Sequence, residues 1–410
     1  MATTQDTPAG RVSEIQRALA DAQLAGWLFY DFRKSDPLAY RILKLDQQSF
    51  ASRRWFYYVP AEGEPVKIVH RIEHDKLDML PGRRHIYNRW QQLHAFLRDA
   101  LKGDNGKQQA RVAMQYSPNN DIPYISRVDA GTVELVRSMN VEPVTSADLV
   151  QIFEAVWSAE QKRTHDAAAD NIHRIILESF AEIGRLVRAG EAVTEYDIQQ
   201  FIMRRFEEEE MTSDGAPPIV AVNANSAMPH YGPTSSIHSP IGRGDFVLLD
   251  VWAKLKKPGA VYADQTWTGY VGESVPQEHE RIFRIVSNAR DAAVEFLKEQ
   301  VRAGNTIRGA QVDDVSRGVI ERAGYGEQFT TRTGHSIGEE VHGNGANIDN
   351  METPDARHII PRTCFSIEPG IYQENLFGVR SEIDVYVGEG EIEVTGQPIQ
   401  TEVVPILKIT

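Results

Sequence analysis

The sequence predicts an α+β protein in two parts, and three observations lead there. The first part alternates helix-like and strand-like segments. Near residue 145 the pattern turns to long stretches with apolar residues at three- and four-residue spacing. Further on, two pairs of apolar β-like runs, each pair split by a turn-rich stretch, read as hairpins.

Taken in order, 11-RVSEIQRALADAQLAG-26 has helical periodicity and ends at a glycine. WLFY at 27–30 is strand-like, as are 55-WFYYVP-60 and 65-PVKIVH-70, which the turn-former AEGE separates. A helix follows over 89-RWQQLHAFLRDALKG-103, then a short strand, RVAMQ, at 111–115. From Ser146 to about Gly190 the chain is almost wholly helix-like, and 194-TEYDIQQFIMRRFEEEE-210 is a further helix whose Glu207–Glu210 run reads as a solvated end. Strands (IVAVN, FVLLDVWAKL, YADQTWTGYVG), two helices between about 277 and 323, and more strands complete the chain. The domain boundary is expected at about 150–160, giving domains of 1–155 and 156–410.

Length and composition agree with this division. The 410 residues allow two domains and a sizeable core, and 41% hydrophobic with 25% charged residues is globular. A net charge of −14 argues against nucleic acid or anionic membrane as a partner. The single cysteine, Cys364, cannot form an internal disulfide, which leans to a cytoplasmic location. The opening MATTQDTPAG lacks a basic stretch followed by an apolar one, so no signal peptide is expected. No apolar run approaches the roughly 20 residues that span a bilayer.

Chemistry enters with four acids. In 245-DFVLLDVWAKLKKPGAVYADQTWTGYVG-272, Asp250 and Asp264 each interrupt an apolar run. Closure at Lys257, midway between them, would set the two opposite each other, with Cβ atoms roughly 5 Å apart. In 363-TCFSIEPGIYQENLFGVRSEIDVYVG-388, Glu368 ends one strand, Glu382 lies in the next, and their midpoint is Asn375. Both pairs are fourteen residues apart. Between them lies 333-TGHSIGEEVHGNG-345, where His335 and His342 are flanked by glycines at a spacing unlike the four-residue spacing of a zincin helix. Four clustered carboxylates are prohibitive to bury unpaired. Two divalent cations would neutralise them and acidify a shared water. Oxygen ligands with one imidazole suit manganese, cobalt, iron or zinc.

The ordered set Asp250, Asp264, His335, Glu368 and Glu382, in the contexts LLDVWAK, ADQTWTG, TGHSIG, SIEPGIY and GVRSEID, resembles the five-ligand signature of the pita-bread metallopeptidases. The resemblance is to the proline-specific branch, with a creatinase-like N-terminal domain ahead of a pita-bread catalytic domain. It implies two divalent metal ions, manganese first and cobalt, zinc or iron as alternatives, held by those five residues. It also implies that His342 is not a ligand but a catalytic helper, and that Glu368 doubles as the proton relay. His230, within 219-IVAVNANSAMPHYGPTS-235, matches a substrate-side histidine better than His238 does. Arg380, two residues before Glu382 and on the same strand face, would hold a ligand carboxylate or bind substrate. Thr266 is expected to hydrogen-bond near Asp264.

The activity implied is hydrolysis of the Xaa–Pro bond at the N-terminus of dipeptides or short peptides, and the assembly implied is a homodimer. The segments 30-YDFRKSDP-37 and 52-SRRWFYY-58 are placed to reach a partner's site or to form ordinary surface. The rivals are creatinase-like C–N hydrolysis without metal and a catalytically silent binding protein, both disfavoured by five intact ligands. Trp267 stands where relatives often have arginine, Ser336 where many have glycine, and Ile383 where an acid is common.

Overall fold

The computed structural model describes residues 7–102 and 109–409. The first six residues, part of the stretch read for a signal peptide, and Gly103, the expected end of a helix, lie outside the described residues. The chain separates into two compact units, Met1–Glu154 and Ala155–Thr410.

In the first unit the order is α1 (Pro8–Asp21), β1 (Gly26–Asp31), α2 (Pro37–Ile42), β2 (Trp55–Pro60), β3 (Val66–His70), β4 (Arg83–Tyr87), α3 (Trp90–Ala100), β5 (Ala110–Met114), α4 (Ala130–Arg137), β6 (Val141–Thr145) and α5 (Ala147–Glu154). The strands form one mixed sheet in the order β4-β3-β2-β1-β5-β6. Trp27 and Phe29 pack with α1, α2 and α5, while Leu28 and Tyr30 pack with α3 and α4. Both faces are covered, which is why β1 is an unbroken apolar run. Four elements escaped the sequence reading. α2 and α4 are short, β4 is an edge strand with exposed Arg83 and Arg84, and β6 carries Pro143, tolerated at the other edge. Tyr30, Phe32, Ser35 and Arg54, from the two segments singled out above, line a common cleft.

The second unit begins with α6 (Ala159–Ala189). Ser158 and Gln161 form its capping box, and Gly190 closes it at φ 73°. The helical stretch expected from Ser146 to Gly190 is therefore broken at 155–158, with α5 packing in the first unit's core and α6 in the second's. There follow α7 (Glu195–Glu208), β7 (Met211–Thr212), β8 (Ile219–Val222), β9 (Phe246–Leu255), β10 (Ala263–Tyr270), α8 (Gln277–Arg302) and α9 (Gly309–Arg322). The C-terminal strands are β11 (Ser336–Ile337), β12 (Cys364–Ile367), β13 (Gly370–Gln373), β14 (Phe377–Arg380), β15 (Ile383–Val387), β16 (Ile392–Val394) and β17 (Val404–Pro405).

Alternation along β9 positions the site. Val247, Leu249, Val251 and Ala253 face a core with Ile172, Ile176 and Phe180 of α6 and Ile198 and Ile202 of α7. Each of these valine, leucine, isoleucine and phenylalanine side chains, fully buried, stabilises the fold by about 1.5–3 kcal/mol. Leu248, Asp250 and Trp252 consequently point to the opposite face. A second core joins α8 to β12 and β15 through Leu297, Phe365, Ile367, Ile383 and Val385. Among the described residues, no helix is long and apolar enough to cross a membrane.

Candidate metal centre

The β9–β10 ladder does not close at Lys257. Asp264 pairs with Trp252, and Asp250 pairs with Thr266. The two aspartates are diagonal neighbours on one face rather than opposite partners. This register spares the sheet a directly facing pair of like charges. The second hairpin has the register its spacing implies. Ile367 pairs with Ile383 and Gly370 with Arg380, so Glu368 and Glu382 face each other in the break between the two ladders. Glu382 thus precedes β15 rather than lying inside a strand, and the turn residue Asn375 has φ 61°.

The hairpins meet edge to edge. The Glu382 N–H donates to Thr266 O at 3.3 Å, and the Asp264 N–H donates to Asp384 Oδ2 at 2.8 Å. Ligand atoms of Asp264, His335 and Glu382 lie within 4.8 Å of one another. His335 Nε2 is 3.4 Å from Glu368 Oε1 and 3.7 Å from Asp264 Oδ2. Burial and the nearby Arg332 push the His335 imidazole down to about 3, so these contacts are not ion pairs at neutral pH. Burial and neighbouring acids raise the carboxyls of Asp264 and Glu382 well above the usual range. Burial raises Asp250 too, against the pull of Arg380. Asp264 Oδ1 and Glu382 Oε1 are buried and, among the described residues, meet no donor. Orphaned acceptors beside a neutral imidazole are the donor set a divalent cation requires.

Supporting side chains fix these groups. Arg380 is 5% exposed, and its Nη2 contacts Asp250 Oδ2. Its Nε donates to Thr266 Oγ1 at 3.1 Å, so its donors meet the protein's own groups. The Thr266 hydroxyl donates to Glu382 Oε2 at 2.6 Å, within the cluster that holds Asp264. His335 sits on a strap anchored by Asp313 of α9, whose Oδ1 accepts from Thr333 Oγ1 at 2.5 Å. A Cβ on Gly334 would stand 1.9 Å from Ser366 O, so glycine is required there. The Ser366 hydroxyl accepts from the His335 N–H at 3.0 Å and donates to Glu368 Oε1 at 3.1 Å.

Two histidines stand outside this cluster. His342 is exposed and T-stacked on His335, with ring centroids 4.3 Å apart. Crowding by protein, together with His335 and Arg332, lowers its pKa. His230 is also exposed, within electrostatic reach of Asp250 and His342. Its loop is held by buried Glu195, which accepts from Val222 N–H, Asn225 Nδ2, Tyr231 OH and Ser239 N–H. His238 instead bonds locally to Thr234 O and stacks on Tyr196.

The sequence departures sort by face. Trp267 lies on the core side of β10, 8% exposed and against His173. The Ser336 hydroxyl accepts from the Gly345 N–H. Ile383 is buried in the α8 core, and Asp384 supplies an acid one residue later, approached by His165 Nε2 at 3.9 Å. Asp384 had a signal, being two residues from Glu382; Glu195, acting from another element, had none.

A family model described as metallopeptidase family M24 matches residues 162–389, more than half of the chain. The chain belongs to metallopeptidase family M24. The M24 match contains Asp250, Asp264, His335, Glu368 and Glu382. A putative dipeptidase, YkvY, of Bacillus subtilis is 32% identical over 181 residues, 44% of this chain and 45% of that protein. An Xaa-Pro dipeptidase of Lactobacillus helveticus is 33% identical over 165 residues, 40% of each chain. The alignments thus span less than half the length of these two relatives. The crystal structure of dipeptidase PepE from Mycobacterium ulcerans superposes with a TM-score of 0.69 over 99% of this M24 chain and 100% of that one, at 24% identity. The architecture is the pita-bread fold with an N-terminal domain.

Proposed function

We propose that this chain is a dinuclear metal-dependent peptidase that hydrolyses the Xaa–Pro bond at the N-terminus of dipeptides or short peptides. The observation that carries the reading is the cluster of Asp264, His335 and Glu382, with two buried carboxylate oxygens that meet no donor among the described residues, and Asp250 and Glu368 beside it. Those five residues would hold two divalent cations, manganese first. When bound, the cations would neutralise the acids, polarise the scissile carbonyl and lower the pKa of water.

The chain's own groups then divide the work. The Glu368 side chain, at 15% exposed, is more open than those of Asp264 and Glu382 at 6% and 2%. It takes the proton of the attacking water and passes it to the leaving imino nitrogen. His342 and His230, at the rim, donate to the carbonyl oxygen as charge develops there. Arg380 and Thr266 act as positioning residues that hold Asp250 and Glu382. The leaving proline lacks an N–H, so recognition rests on shape and on the two histidines. The name of the Lactobacillus relative supports proline in second position.

Residues 156–410 serve as the catalytic domain and 1–155 as a creatinase-like accessory domain. A cytoplasmic homodimer, with segments 30–37 and 52–58 near the partner's site, completes the reading. A creatinase-like hydrolase or a silent binding protein would need no cation, so metal content separates those rivals.

The test is hydrolysis of Ala-Pro, Leu-Pro and an Xaa-Pro-Xaa tripeptide by metal-stripped protein, with Mn²⁺, Co²⁺ or Zn²⁺ restored, alongside Glu368→Ala. Metal-dependent cleavage that the variant loses is expected. Bound metal without cleavage of any of the three would sink the proline assignment.

A further inference from the structure

Trp252 follows Asp250 by two residues on β9 and is the ladder partner of Asp264. The indole and both acids therefore share one face. The residue is partly exposed, yet its indole N–H is buried and, among the described residues, has no acceptor. What the ring offers to the outside is therefore hydrocarbon.

Its packing ties it to the two segments that carry the rim histidines. One side joins the Ile219–Ala221–Leu248 cluster, which also takes Tyr231, the residue after His230. The other joins the cluster of Trp157, Tyr262 and Ile337, which also takes Val341, the residue before His342. Among the described residues, the Trp252 side chain makes no hydrogen bond with the acid cluster.

We infer that Trp252 is the apolar wall against which the side chain of the substrate's first residue rests, and that its bulk favours small and medium side chains there. The inference rests on the peptidase reading above. A first residue with its amine and carbonyl at the acid cluster holds its Cβ close to this face. A side chain adjoining Asp264 and Asp250 is the one placed to meet it. A single methylene in such a pocket changes kcat/KM by roughly 10- to 200-fold.

The experiment compares Trp252→Ala and Trp252→Phe with the unaltered full chain, loaded with Mn²⁺. Substrates are Ala-Pro, Leu-Pro and Phe-Pro, with Ala-Leu and Phe-Leu in parallel. Affinities for L-alanine and L-phenylalanine hydroxamates are measured by calorimetry. In Trp252→Ala the Phe-to-Ala ratio of kcat/KM is expected to rise at least about tenfold, with Trp252→Phe between, and the hydroxamate affinities shift the same way. An unchanged ratio in a folded, metal-binding Trp252→Ala overturns the proposal. Cleavage of Xaa-Leu but not Xaa-Pro overturns the proline reading alone, and the Xaa-Leu ratio then decides on Trp252. With no cleavage at all, the hydroxamate ratio decides. If Trp252→Ala does not fold, the ratio in Trp252→Phe decides.

Discussion

Arg380 and Asp250, 130 residues apart in the chain, are joined by a buried contact between guanidinium and carboxylate. The same guanidinium reaches Thr266, whose hydroxyl holds Glu382. One arginine thus orients acids from both hairpins. Arg380→Gln should lower kcat/KM by about 10- to 100-fold, the usual cost of losing a group that orients ligands. Arg380→Lys should not restore it, because an ammonium lacks the planar fork. Steady-state kinetics on both variants, with metal content measured, checks this.

Cation binding should release protons. Burial and neighbouring acids make Asp264 and Glu382 hold protons to higher pH than ordinary carboxyls, and a cation competes with those protons. Affinity should therefore rise with pH. Mn²⁺ titrations in two buffers of different ionisation enthalpy at pH 7 would measure the protons released. Asp264→Asn should abolish tight binding, and identical heats in both buffers would refute the proton release.

Thr266→Val should destabilise the fold by about 1–3 kcal/mol, since it leaves a buried Glu382 oxygen without its hydroxyl donor. Denaturant titration of the metal-free protein would read this directly.

Acid should weaken the fold through His165. Its ring is fully buried between Tyr262 O and Thr395 Oγ1, and burial holds it down at about 4 from an ordinary 6.5. The unfolded chain takes up a proton near pH 6.5, and the folded one does so only near pH 4. The stability involved is full above pH 6.5 and is lost as pH falls toward 4, by on the order of 3 kcal/mol. His165→Gln should show a shallower loss between pH 7 and 4.5 in denaturant titrations.

Glu195→Gln should act on catalysis through the loop carrying His230. Weakening its four-donor clamp should raise KM or lower kcat by several-fold while metal content stays intact. Unchanged kinetics with a folded variant would remove Glu195 from any positioning role.

The acids of the centre were legible because an ionisable group inside an apolar strand is costly and calls for a reason. Asp250, Asp264, Glu368 and Glu382 announced themselves that way, and glycine-flanked His335 stood between them. The β9–β10 register was not legible. The connection at 256–262 is long enough to close off-centre, and spacing alone assumes symmetry. Thr266 was legible as bonding near Asp264, but its partner there was not, because Glu382 lies more than a hundred residues away in the chain. Arg380 showed its face in the sequence but not its partner. In the first unit, α2, α4, β4 and β6 are short or half-exposed, so their periodicity is weak.

The two hairpins differ in how they respond to a change in chain length. Residues 256–259 are exposed and lie outside the β9–β10 ladder, so extra residues there leave Asp250 and Asp264 where they are. The turn around Asn375 sits between Gln373 and Phe377, partners in a ladder whose register continues into β12 and β15. One inserted residue there would slip Glu368 against Glu382. The first connection is a place to graft a tag or open the chain for circular permutation; the second is not.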